Sequence, residues 1–201
     1  MIRYALQSGL RVDVYSNLVH VTPELWELFQ LPGVSVGTSW YSADPARHAK
    51  ITGTVGSYWR TQANIAEALR RGIEVRAGIV EVIDGQDVDG ARAHLLELGV
   101  TAVSTDRARG VGRATRSGTA SRAELCGRCG DGRAAISGDG DVSPCVLARF
   151  LIAGNVKTTP LADILGSPAW REITGSIPRD NGCVTCTPAD SNDCNPSRKP
   201  A

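Results

Sequence analysis

All six cysteines of this 201-residue chain fall after Leu125, at Cys126, Cys129, Cys145, Cys183, Cys186 and Cys194. They form two groups of similar design: Cys126-Gly-Arg-Cys129 with Cys145 after a glycine-rich stretch, then Cys183-Val-Thr-Cys186 with Cys194 after TPADSND. A C-x-x-C turn directs two thiolates at one ion, and a hairpin returns a third from a distance. Ala134 to Pro144, AAISGDGDVSP, reads as two short strands around a Gly-Asp-Gly-Asp turn, which brings Cys145 back towards the first pair. Three readings follow from the spacing. A zinc ribbon would use Cys126, Cys129, Cys183 and Cys186 and leave two cysteines over. Iron-sulfur binding, with one or two clusters, would use all six. Buried thiols acting as small hydrophobes are the third, although the neighbours here are Gly, Asp, Arg and Thr rather than apolar runs.

Compartment bears on that choice. The opening MIRYALQSGLRVDVYSN lacks the apolar core and cleavage site of a signal peptide, and no run of about 18 apolar residues follows. A cytoplasmic protein is expected, and there cysteine patterns favour metal binding or catalysis over disulfides. Lys and Arg number 22 against 21 Asp and Glu, so charge singles out neither nucleic acid nor an anionic membrane as partner.

Up to about Ala114 the texture is different, with β-branched runs alternating with helical patterns. Strands are expected over Leu10 to Tyr15, Val34 to Ser39, Ile73 to Ile83 and Val100 to Thr105. Between them, helices are expected from a Thr22 cap and Pro23 to Phe29, from Ser57 to Arg71 before Gly72, and from Asp87 to Leu98 before Gly99. Such alternation specifies an α/β fold with a parallel sheet, and four strands with three helices make half a (βα) barrel or a small open sheet. Functional residues of such folds gather at the C-terminal strand ends, which here carry Ser16-Asn17, Ser39-Trp40-Tyr41-Ser42, Ile83-Asp84-Gly85 and Asp106-Arg107. The Arg-, Gly- and Ser-rich stretch from Arg107 reads as a linker. Two domains are therefore expected, 1–114 and 115–201. His20, His48 and His94 are scattered, and His94 reads as a surface or core histidine.

The segment from Cys126 to Cys194 resembles the SPASM domain of radical SAM enzymes: a cysteine, a stretch to Gly140, then Pro144-Cys145, Ala153-Gly154-Asn155-Val156, a Leu161 to Leu165 helix, and a late C-x-x-C. The resemblance implies a small cysteine-rich α+β domain with auxiliary [4Fe-4S] clusters held by the six cysteines. Seven residues separate Cys186 from Cys194, where the family usually has five and then a further cysteine. VYSNL and VGTSWYSADPARHAKITGTVGSYWRTQANI are similar to the later strands of the radical SAM partial barrel, which implies an incomplete (βα) barrel with S-adenosylmethionine contacts from Ser16, Asn17 and Ser39. Thr52 stands where many members have a carboxylate-binding arginine. The family acts on peptide or small-protein substrates. Its C-x3-C-x2-C loop and Gly-Gly-Glu-Pro segment are missing from these residues. The resemblance thus implies a truncated chain, not competent alone to cleave S-adenosylmethionine and completed by a partner chain; a degenerate, non-catalytic iron-sulfur or zinc protein is the alternative.

Overall fold

The computed structural model describes residues 1–111, 115 and 120–179. The chain divides into two compact units, Met1–Arg107 and a second beginning at Ala108.

The first unit runs α1 (Ile2–Gln7), β1 (Val12–Tyr15), α2 (Pro23–Phe29), β2 (Val34–Trp40), α3 (Pro45–Thr52), α4 (Ser57–Arg70), β3 (Val75–Glu81), α5 (Val88–Glu97) and β4 (Ala102–Arg107). Its sheet has the order β1-β2-β3-β4 and every pair is parallel. The helices start where side chains can take up free backbone donors. Thr22 accepts from the Leu25 N–H and Asp87 from the Gly90 N–H. The α4 and α5 patterns stop at Gly72 and Gly99, whose φ of 73° and 94° suits a residue without Cβ.

Two helices go beyond the sequence expectation. α1 buries no residue, and α3 buries only His48, so neither carries the apolar periodicity by which helices are read. α3 is instead fixed at its ends: Asp44 accepts from the Arg47 N–H at 2.8 Å, Pro45 opens the helix, and Gly53 closes it with φ 67°. The strands are also shifted or shortened relative to the β-branched runs. β3 stops at Glu81 because the Val82 N–H turns to the Gln86 side chain at 2.9 Å.

Alternation divides the sheet into two unlike faces. Val36, Trp40, Val75, Ala77 and Ile79 point into one core with Trp26 and Phe29 of α2, Tyr58, Ile65 and Ala68 of α4, and Ala91 and Leu95 of α5. The residues between them form a polar face. There Arg76 pairs with Asp13 at 2.8 Å, and the Ser35 hydroxyl donates to the same carboxylate. A parallel sheet packed on helices on one side and polar on the other fits an open partial barrel rather than a doubly wound sheet with apolar residues on both faces.

The second unit has a three-stranded antiparallel sheet of β5 (Ala135–Ile136), β6 (Asp141–Ser143) and β7 (Gly154–Asn155), then α6 (Leu161–Leu165) and α7 (Pro168–Gly175). The expected hairpin forms, with Ile136 opposite Val142. The Ser137 hydroxyl shapes its turn by accepting from the Asp139 and Asp141 N–H groups. Val142, Ile164 and Trp170 make one small core; Leu125, Ala148, Leu151 and Ile177 make a second with Cys126, Cys129 and Cys145.

Candidate functional site

The hairpin carries the first thiol group together. Gly130 N–H donates to the Pro144 carbonyl at 3.0 Å, locking the Cys126–Cys129 turn against the residue before Cys145. Cys129 Sγ and Cys145 Sγ lie 3.1 Å apart, and Cys126 contacts Cys129. All three are buried, at 8%, 4% and 6% exposure, which excludes the solvated-turn arrangement of ordinary surface cysteines. Hydrogen bonding from Cys129 lowers the Cys145 thiol to about 7, with the Leu147 and Ala148 N–H groups assisting against burial. Cys129, bonded to Cys126 and Cys145 and desolvated, is pushed up. Cys145 is therefore the thiol of the pair favoured to lose its proton, and the thiolate is the ligand form.

Of the stretch expected as a linker, Arg109 to Val111 are tied to the residues around this triad, and 112–114 and 116–119 lie outside the described residues. Arg109 Nη1 donates to the Glu124 carbonyl at 2.9 Å, Gly110 N–H donates to the Glu124 carboxylate at 3.2 Å, and Val111 packs on the core that contains the thiols. On another side, Asp131 pairs with Arg128 at 3.5 Å and with Arg179 at 3.8 Å. Gly127 lies so close to the Pro178 and Arg179 carbonyls that a Cβ would come within 2.7 and 2.8 Å of their oxygens.

The donor set is all sulfur, which suits iron-sulfur clusters and zinc and disfavours the hard cations. Two thiolates on one tetrahedral ion at about 2.3 Å stand about 3.8 Å apart. The 3.1 Å contact is thus a little too close, and Cys129 and Cys145 must part by less than about 1 Å to share such an ion. Among the described residues no three His, Cys, Asp or Glu side chains are spread around a single-ion centre, in keeping with thiols packed on one another. By its chemistry, then, the triad fits a sulfur-ligated group. Cys183, Cys186 and Cys194 lie outside the described residues.

In the first unit, Ser16-Asn17 follows β1 and Ser39 is in β2, so these residues belong to the C-terminal edge of two adjacent strands. The Ser16 N–H extends the β1–β2 pairing to the Gly37 carbonyl at 3.0 Å. Ser16 Oγ accepts from the Leu18 N–H and Asn17 Oδ1 from the Val19 N–H, each at 3.1 Å. Thr52 is the last residue of α3, its hydroxyl bonded to Ser57 at 2.8 Å and to the His48 carbonyl at 3.0 Å.

Sequence reasoning missed Gln86. It is buried, and its amide donates to the Tyr41 and Val80 carbonyls at 2.9 Å each while its oxygen accepts from Val82, which ties the loop after β3 to the loop after β2. No periodic signal marks such a residue. His94, expected as a surface or core histidine, stacks on Trp40 with ring centroids 5.5 Å apart and bonds Tyr58 and Gln62. Trp40 also meets His48, whose burial holds its imidazole below the ordinary pKa.

Residues 118–187 match SPASM, the iron-sulfur cluster-binding domain. Solved structures resemble nearly the whole chain. Streptococcus suis SuiB bound to precursor peptide SuiA matches with a TM-score of 0.69 at 13% identity, over 89% of this chain and 52% of that one. SuiB described without a ligand gives 0.68 at 12% identity, over 87% and 53%. Native anSMEcpe with bound AdoMet and Kp18Cys peptide gives 0.60 at 9% identity, over 80% and 58%. The chain spans about half the length of these structures. No curated protein matches it.

The chain therefore shares the fold of these solved structures, and residues 118–187 are similar to the SPASM domain. More particularly, the parallel sheet is an open α/β partial barrel, followed in sequence by the segment that matches the SPASM model.

Proposed function

We propose that this chain serves in radical modification of a peptide substrate, with its second unit holding auxiliary [4Fe-4S] clusters and its first unit forming part of the site for S-adenosylmethionine. The observation that carries the reading is the buried thiol triad of Cys126, Cys129 and Cys145 within the SPASM match. Cys183, Cys186 and Cys194 are the remaining proposed ligands. When bound, such clusters supply electron transfer at a potential set by burial and hydrogen bonds to sulfur.

The chain's own residues do the rest. The buried pocket of Leu125, Leu151 and Ile177 excludes water from the sulfurs, and the Leu147 and Ala148 N–H groups hold charge on Cys145. Ser16, Asn17 and Ser39 are proposed to orient S-adenosylmethionine at the C-terminal edge of the sheet, beside the polar face on which a peptide can lie. The peptide reading is supported by the likeness to SuiB, whose structure with precursor peptide SuiA is among the matches. The 201 residues contain no cysteine before Cys126. In this reading the cluster that cleaves S-adenosylmethionine is held by residues outside these 201, as on a complementing chain. We place the protein in the cytoplasm; among the described residues no helix is long and apolar enough to cross a membrane.

The test is iron, acid-labile sulfide and zinc per chain after anaerobic reconstitution. About four to eight irons with matching sulfide supports auxiliary [4Fe-4S] clusters. About one zinc with little sulfide refutes the reading and assigns the cysteines a structural site.

A further inference from the structure

Among the described residues, Leu18 alone of the non-glycine residues has a left-handed backbone, with φ 52°. Bulky side chains resist that conformation, which persists where the surroundings over-determine it. Here they do so from two directions. The Leu18 side chain is fully buried in the core of the first unit. The two carbonyls that flank the strained residue are gripped by one helix: Thr61 Oγ1 donates to the Asn17 carbonyl at 2.9 Å, and Asn64 Nδ2 donates to the Leu18 carbonyl at 2.7 Å. Thr61 and Asn64 stand three apart on α4 and so share a face. Neither bond serves α4 itself.

The grip has a chemical consequence. With the turn held this way, Ser16 Oγ and Asn17 Oδ1 both fold back on the N–H groups of Leu18 and Val19. Each oxygen thus has one lone pair engaged, while the donors of the two side chains, the Ser16 hydroxyl proton and the Asn17 amide N–H groups, are not used by these bonds, and Asn17 is exposed. We propose that Thr61 and Asn64 are positioning residues that preset the Ser16–Asn17 turn as a hydrogen-bond-donor site for an oxygen acceptor of the ligand, a carboxylate or a sugar hydroxyl. This rests on reading Ser16 and Asn17 as contacts of S-adenosylmethionine. An amino group, which brings donors of its own, would meet only oxygens already engaged by the Leu18 and Val19 N–H groups.

The experiment measures binding of S-adenosylhomocysteine by equilibrium dialysis to the full chain and to Thr61→Val, Thr61→Ser, Asn64→Ala and Val100→Ala, each with its melting temperature. Val100 is fully buried far from the turn in sequence and controls for lost stability. If the preset turn is populated only about one time in ten without the grip, Thr61→Val and Asn64→Ala bind about tenfold more weakly. Thr61→Ser, which keeps the hydroxyl, binds as the parent does, and Val100→Ala lowers the melting temperature without weakening binding. Parent-like binding by Thr61→Val and Asn64→Ala overturns the inference alone, as does equal weakening by Val100→Ala. An unsubstituted chain that does not bind S-adenosylhomocysteine counts against the ligand assigned to Ser16 and Asn17, and the grip is then read from amide exchange at Leu18 and Val19: exchange about tenfold faster in Thr61→Val and Asn64→Ala than in the parent supports the preset turn, and parent-like exchange overturns it.

Discussion

Gly127 offers the sharpest test of how the thiol triad is built. It has φ 82°, and a Cβ placed on it would lie 2.7 Å from the Pro178 oxygen and 2.8 Å from the Arg179 oxygen. Both are backbone atoms, which cannot rotate aside as a side-chain tip can. Gly127→Ala therefore meets two penalties. The left-handed backbone costs about 1–2 kcal/mol, and pushing the 178–179 backbone away costs about 1–3 kcal/mol as overpacking, so the sum is about 2–5 kcal/mol. Gly53→Ala isolates the first penalty, since Gly53 has φ 67° with nothing within 4 Å of the added carbon. It should cost about 1–2 kcal/mol. Gly138→Ala meets neither penalty and should be neutral or slightly stabilising. Amide hydrogen exchange read at Val142 for the second unit and at Ile79 for the first gives the free energy of opening in each. Both residues are fully buried. A Gly127→Ala cost no greater than that of Gly53→Ala would refute the close packing of Pro178–Arg179 on the C-x-x-C turn.

Three further outcomes are expected. Cys129→Ser and Cys145→Ser should each lose about half or more of the reconstituted iron if one of two clusters depends on this triad, measured as iron and sulfide per chain; unchanged iron would remove the triad from the ligand set. Chelation of the metal under anaerobic conditions should speed amide exchange over residues 125–151 and leave Val36 and Ile79 protected, because only the second unit counts thiols in its core. His48 is buried and held below its ordinary pKa of about 6.5 by desolvation, so the unfolded chain takes up its proton first as pH falls. Stability is then unaffected above that range and lost below it, by up to about 1.4 kcal/mol per pH unit for one proton, and His48→Phe should flatten this acid limb of a urea-denaturation series.

The parallel sheet was legible because β-branched runs and glycine stops repeat along the first unit. Leu161–Leu165 falls where the sequence expectation put it, and the Ala134 to Pro144 hairpin forms around its expected turn. What escaped was structure fixed by polar contacts. α3 carries one buried residue, a histidine, and Gln86 joins two loops through three hydrogen bonds distant in sequence. The stretch from Arg107 read as a linker or mobile loop from composition, yet Glu124 holds Arg109 and Gly110 at its start, a pairing that local sequence does not announce. Likewise, spacing brought Cys126, Cys129 and Cys145 together correctly in order but could not tell that they are buried. Hydrophobic pattern counts cysteine among turn residues such as Gly and Asp as exposed, whereas the core closes over the turn.

That burial links ligation to folding. The first unit has an apolar core of its own, built from residues of β1, β2, β3 and three helices. Among the described residues the core around the triad buries Leu125, Ala148, Leu151 and Ile177 besides the three thiols, with Val111, Leu147 and Ile173 packed against it. So small a core supplies little stability by apolar burial alone, and small domains commonly add a metal or disulfides to compensate. Free energy of ligand binding at these sulfurs is then largely free energy of folding for the second unit. Loss of the bound group should open this unit while the sheet stays folded, so iron supply would control whether the chain is whole and not only whether it is active.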